Sequence, residues 1–105
     1  MLSYAAARQL LASGNAKLEN NTFLVDKNAD TVAVQLYGTQ VVLIHDDGTY
    51  TLNTGGYRTT TTKDRINKYG PNVVQIKKRK WLVNGESFED GIKVDSTGAV
   101  LAPAF

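Results

Sequence analysis

The chain has 105 residues, 42% hydrophobic and 21% charged, with no cysteine and a formal net charge of +2. That size fits one domain able to bury its own core, and the missing thiols exclude a disulfide framework, a thiolate metal site and a cysteine nucleophile. No apolar run approaches the roughly 18 residues that a bilayer span needs, and no basic segment precedes an apolar one at the N-terminus, so neither a membrane anchor nor a secretory leader is expected.

Taken in chain order, residues 1–14 read as an N-terminal helix. Ser3 supplies a cap, alanines and leucines favour the helix, and Gly14-Asn15 supplies a left-handed stop. Tyr4, Ala7, Leu10 and Leu11 recur at helical spacing and form one core-facing stripe. From residue 21 the apolar period changes to two. Residues 21–53 read as a β-meander in which Val32, Val34 and Leu36 share one face. Asp46-Asp47-Gly48 marks a hairpin turn, and the period puts Val41, Leu43 and His45 together before it, with Tyr50 and Leu52 together after it.

Residues 54–71, ending in "GGYRTTTTKDRINKYGP", read as a Gly-Gly and threonine loop leading into a short helix at about 62–69. Thr61 or Thr62 is the expected cap, with Asp64 completing a capping-box variant, and Gly70 is the expected left-handed stop before Pro71. Residues 72–101 continue as β-hairpins, one turning at Asn84-Gly85 and another carrying Lys77, Lys78, Arg79 and Lys80 at its tip. The tail from Ala102 is expected to fray. The fold class that follows is α+β: an N-terminal helix packed on a mostly antiparallel, twisted sheet, with a second short helix inserted mid-chain, all in one domain.

Charge is unevenly placed. Between Arg58 and Lys80 lie eight basic residues and one acid, Asp64, while the rest of the chain carries four basic and nine acidic residues. Such polarity steers anionic partners towards one face. The candidate binding residues are Arg58, Lys63, Arg65, Lys68, Lys77, Lys78, Arg79 and Lys80, with Tyr57 as the exposed aromatic. Cations neutralise phosphates and aromatic faces stack on unpaired bases, which together make a surface for single-stranded or non-specifically bound nucleic acid. Trp81 and Tyr69 are interleaved with these cations, but their apolar neighbours also suit a core. Gly55 and Gly56 sit close to a helix start, where backbone amides can take a phosphate.

Catalysis finds less support. The one histidine, His45, stands beside Asp46 and Asp47, but neighbours on a strand point to opposite faces and turn aspartates bond their own backbone. No nucleophile elbow, P-loop or zinc spacing occurs, so no catalytic set, metal or cofactor is expected.

The stretch Asp47–Pro71 resembles a segment of small bacteriophage-encoded proteins. The resemblance rests on Asp47, Gly48, Leu52, Asn53, Gly55, Gly56, Tyr57, Thr59, Thr61, Thr62, Lys63, Arg65, Ile66, Asn67 and Pro71. It extends to the strand before the Asp-Gly turn and the tryptophan strand, about half the chain. Tyr57 is a departure, since that position commonly holds tryptophan. The resemblance implies a phage product acting in the cytoplasm of its bacterial host. Two readings of different class follow. One is a non-enzymatic accessory protein that binds nucleic acid through the Arg58–Lys80 surface. The other is an anti-defence or host-takeover protein that binds a host bacterial protein or sequesters a nucleotide signal at Gly55, Gly56, Tyr57 and Arg58.

Overall fold

Ser3 starts the first helix as its position predicts. Its hydroxyl accepts the Ala6 amide at 3.1 Å, and α1 runs Tyr4–Ala12 in the computed structural model, which describes residues 1–102. The fray expected from Ala102 does not begin there, since Ala102 ends the last strand of the sheet, and the rest of that tail, residues 103–105, lies outside those described. Ala7 is fully buried, and Tyr4, Leu10 and Leu11 pack against the core around it. Five strands follow in antiparallel succession: β1 (Lys17–Glu19), β2 (Thr22–Asn28), β3 (Thr31–Leu36), β4 (Thr39–His45) and β5 (Tyr50–Leu52). The first of these was not expected.

The chain then leaves the sheet to form α2 (Thr60–Tyr69) and a separate three-stranded sheet of β6 (Val74–Lys77), β7 (Lys80–Val83) and β8 (Glu86–Ser87). It returns as β9 (Ile92–Val94), which pairs with β5 at Leu52 and Ile92, and β10 (Val100–Ala102) closes the seven-stranded sheet. The result is α+β, with the N-terminal helix on an antiparallel sheet, as the sequence predicts. Leu24, Val32, Val34, Val42, Ile44, Tyr50 and Leu52 bury their side chains in one core. The helix α1 lies on β2 and β3, while α2 lies on β3, β4 and β6 and so joins the two sheets. Asn67 fastens that joint. Its side chain accepts the Val74 amide at 3.0 Å and donates to the Val74 carbonyl at 2.9 Å, replacing a strand partner.

Three local expectations are corrected. On β4, Val41 does not share the half-buried face of Leu43 and His45 but lies in the core with Val42 and Ile44. The cause is a bulge: Val34 pairs with Val42 but Gln35 pairs with Gln40, leaving Val41 unpaired, so Val41 and Val42 are both buried. A bulge breaks the two-residue period that the sequence reading assumed. The second helix starts earlier than residue 62, at Thr60. Thr59, in extended backbone, is its cap and accepts the Thr62 amide at 3.1 Å, while Asp64 pairs with Arg65 instead of reaching back. Finally, Gly70 is not left-handed, with φ at −99°. Glycine is needed there because a Cβ would meet the Ile66 carbonyl oxygen at 2.9 Å and Leu52 at 3.2 Å.

Candidate functional site

The Gly-Gly loop is clasped at the base of the insertion. Asp90 accepts both the backbone amide and the hydroxyl of Thr54 at 2.7 Å, and the Gly91 amide donates to the Leu52 carbonyl at 2.8 Å. Thr54 is fully buried, so this is a fixed hinge post between the two sheets. Gly55 and Gly56 both adopt left-handed backbone, with φ of 61° and 87°. Their amides donate within the loop, to the side chains of Asn53 and Thr54, and the Tyr57 amide donates to the Thr54 carbonyl. The loop's hydrogen bonds therefore shape it from inside.

What the loop builds is a cleft of about 470 Å³ against the β3–β4 turn. Tyr57 and Tyr37 both line it, exposed at 66% and 69%. Leu36 and the bulged Val41 contribute apolar surface, and Thr39, Thr54 and Thr62 add hydroxyl-bearing side chains. No lining side chain is charged. Tyr37 is held in place from both ends. Its amide donates to the Asn21 carbonyl at 2.9 Å, and the Asn21 side chain donates to its phenol oxygen at 3.1 Å. Its φ of 53° is a conformation that a bulky aromatic rarely adopts.

Next to Tyr57, the Arg58 guanidinium lies over Trp81 and Phe88, at 5.8 and 5.5 Å from their ring centres. Those two rings meet edge to face at 5.7 Å and are buried. Trp81 is therefore core, and so is Tyr69. Arg58 itself stays exposed and connects the cleft to β7. One residue before Trp81, at the start of β7, is Lys80, paired with Lys77 across a two-residue turn of Lys78 and Arg79. All four side chains are exposed.

The basic residues of α2 are arranged differently. Arg65 lies 3.3 Å from Glu19 and 2.6 Å from Asp64, and donates to the Thr22 hydroxyl at 3.0 Å. Lys68 lies 2.9 Å from Glu19, and the Tyr69 hydroxyl donates to the same carboxylate. The Tyr69 hydrogen bond, with Lys68 and Arg65, holds the Glu19 carboxyl below its ordinary range. Arg65 and Lys68 thus serve the joint between α2 and β1, on the other flank of the helix from Asn67 and β6. Among the described residues, Arg58, Lys63, Lys77, Lys78, Arg79 and Lys80 form no ion pair.

His45 sits within the sheet. Its Nδ1 is 3.0 Å from the Thr31 hydroxyl and its Nε2 is 2.7 Å from the Thr51 hydroxyl, and burial, aided by Lys93, pushes the imidazole below its ordinary pKa. Asp47 closes its own turn by accepting the Thr49 amide and hydroxyl at 3.0 and 2.6 Å. No group of three or more potential metal ligands comes together among the described residues, and none of their helices is long and apolar enough to cross a membrane.

Sequence reasoning missed Tyr37, Thr39, Val41 and Asp90. The one available signal was an aromatic residue immediately before glycine at a turn, a place where asparagine is usual.

A family model described as Kyanoviridae Gp96 protein matches residues 2–95. No curated protein and no solved structure matches the chain. The chain belongs to the Kyanoviridae Gp96 family, a phage protein family.

Proposed function

We propose that this phage protein acts by binding single-stranded nucleic acid without sequence preference and without catalysis, its phosphates held by Arg58 and by Lys77, Lys78, Arg79 and Lys80. One comparison within the molecule carries the reading. The three-stranded sheet has two hairpins of the same geometry. The β7–β8 turn uses Asn84-Gly85, with φ of 48° and 81°, the pair that left-handed backbone favours. The β6–β7 turn holds Lys78 and Arg79 at φ of 50° and 66°. Left-handed backbone costs an ordinary L-residue about 1–2 kcal/mol. Solubility requires charge, but not charge at positions where it works against the fold. Two cations placed there, flanked by two more, point to an anionic partner.

The reading is tested with Lys78→Asn/Arg79→Gly, which gives this turn the dipeptide of its neighbour. The double variant is expected to unfold at higher temperature than the parent while binding an oligothymidylate strand more weakly. For the parent, engaging four phosphates gives a log–log salt slope of about −2.8, or roughly fifty-fold tighter binding at 50 than at 200 mM salt. The variant slope is expected to be shallower by about 1.4. No strand binding at low salt, or an unchanged slope in the variant, rejects the proposal.

A further inference from the structure

We infer that the cleft between Tyr37 and Tyr57 is a nucleobase site, which takes one unpaired base while the neighbouring cations hold the phosphates; this deepens, and rests on, the nucleic-acid reading above. The size suits it, since ligand pockets commonly span about 300–1,000 Å³ and this one is about 470 Å³. The chemistry is complementary part by part. Two exposed phenol rings offer π-faces, Leu36 and Val41 close an apolar floor, and the Thr39 hydroxyl can meet the polar edge of a heterocycle. An uncharged lining fits an uncharged ring, and the first cation, Arg58, follows Tyr57 directly in the chain. The phosphates of the bound nucleotide's strand then have an exposed guanidinium, over Trp81 and Phe88, and the β6–β7 tip as their cations.

Two independent features show that the cleft is built. Tyr37 occupies left-handed backbone, and Asn21 makes two hydrogen bonds to it, one from the tyrosine amide and one to its phenol oxygen, which give the exposed ring a defined place. Val41 reaches the cleft because a bulge turns it inward, and bulges commonly re-aim side chains beside functional sites. The Asp90 clasp on Thr54 fixes the base of the loop that carries Tyr57. Pre-placed aromatic rings lower the ordering cost of capturing a heterocycle.

The experiment compares three probes on the same protein: an oligothymidylate strand, an abasic strand of equal length, and thymidine monophosphate. The variants are Tyr57→Ala and Tyr37→Asn, the second chosen because asparagine tolerates the left-handed position. The base-bearing strand is expected to bind roughly 5- to 150-fold more tightly than the abasic one, with the salt slopes equal. Each variant is expected to remove most of that advantage and leave the slope unchanged. Equal affinity for the two strands, or an advantage that survives both variants, overturns the base site and leaves the cationic tip standing. Thymidine monophosphate binding that Tyr57→Ala abolishes, with no strand binding, upholds the base site and overturns the strand-binding function. No binding of any probe overturns both.

Discussion

Replacing Gly55 with alanine tests the contact that closes the cleft against β4. A Cβ at this position would lie 2.7 Å from the Thr39 methyl carbon and 2.9 Å from its hydroxyl oxygen. Rotation about χ1 gives no escape. Threonine fills two of its three staggered positions, and both filled ones crowd the new carbon, so either rotation leaves one of them occupied. The backbone must give way instead. Overpacking of this kind costs about 1–3 kcal/mol, added to about 1–2 kcal/mol for alanine at positive φ. Gly56 is the internal control, because it is also left-handed, with φ of 87°, but a Cβ there meets nothing within 4 Å. Gly56→Ala should therefore cost only the dihedral part, about 1–2 kcal/mol, and Gly55→Ala about 1–3 kcal/mol more. Urea unfolding followed by far-ultraviolet circular dichroism gives both values. Adding Thr39→Ala to Gly55→Ala should recover the collision and leave the dihedral cost, a coupling that the double-mutant cycle isolates. Equal costs for the two glycine variants, within about 0.5 kcal/mol, would refute the close approach of loop and strand.

Thr59→Ala should cost about 1 kcal/mol by removing the α2 cap, whereas Thr61→Ala, at an exposed position, should stay within about 0.5 kcal/mol; urea midpoints separate the two. The Glu19 carboxyl is depressed in the fold, so its contribution is present above the ordinary carboxylate range and lost as pH falls through the folded value. Glu19→Gln should accordingly lower stability at neutral pH and flatten the acid limb of a stability–pH curve. The His45 imidazole is also depressed, favouring the neutral ring, so its contribution is lost as the solution is acidified through the ordinary histidine range. His45→Gln should flatten the curve between about pH 7 and pH 5, and an unchanged curve would dissociate the ring from the pH response.

Features that depend on neighbouring residues were legible in the sequence. The Ser3 cap, the Asp47-Gly48 and Asn84-Gly85 turns and the existence of the second helix each follow from a few consecutive side chains. Features set by distant partners were not. The Val41 bulge is a mismatch between two strands, so no reading of β4 alone contains it. Arg65 and Lys68 count as free cations in a linear charge map, and only the fold brings Glu19 beside them. The Gly-Gly loop was half visible. Its glycines and Tyr57 could be singled out, but Tyr37, which lines the same cleft, lies twenty residues before Tyr57 in a segment that reads as an ordinary hairpin.

The position of Trp81 has an optical consequence. It is the single tryptophan of the chain, and Arg58, the cation between the cleft and the β6–β7 tip, lies over its indole. Indole emission responds to the local electric field, and the guanidinium lies 5.8 Å from the centre of that ring. An anion that draws Arg58 away, or neutralises it in place, changes this field inside an otherwise dry aromatic pair with Phe88. The molecule thus carries a native fluorophore beside its proposed cations, and emission from the unlabelled protein is expected to change when an anion engages Arg58.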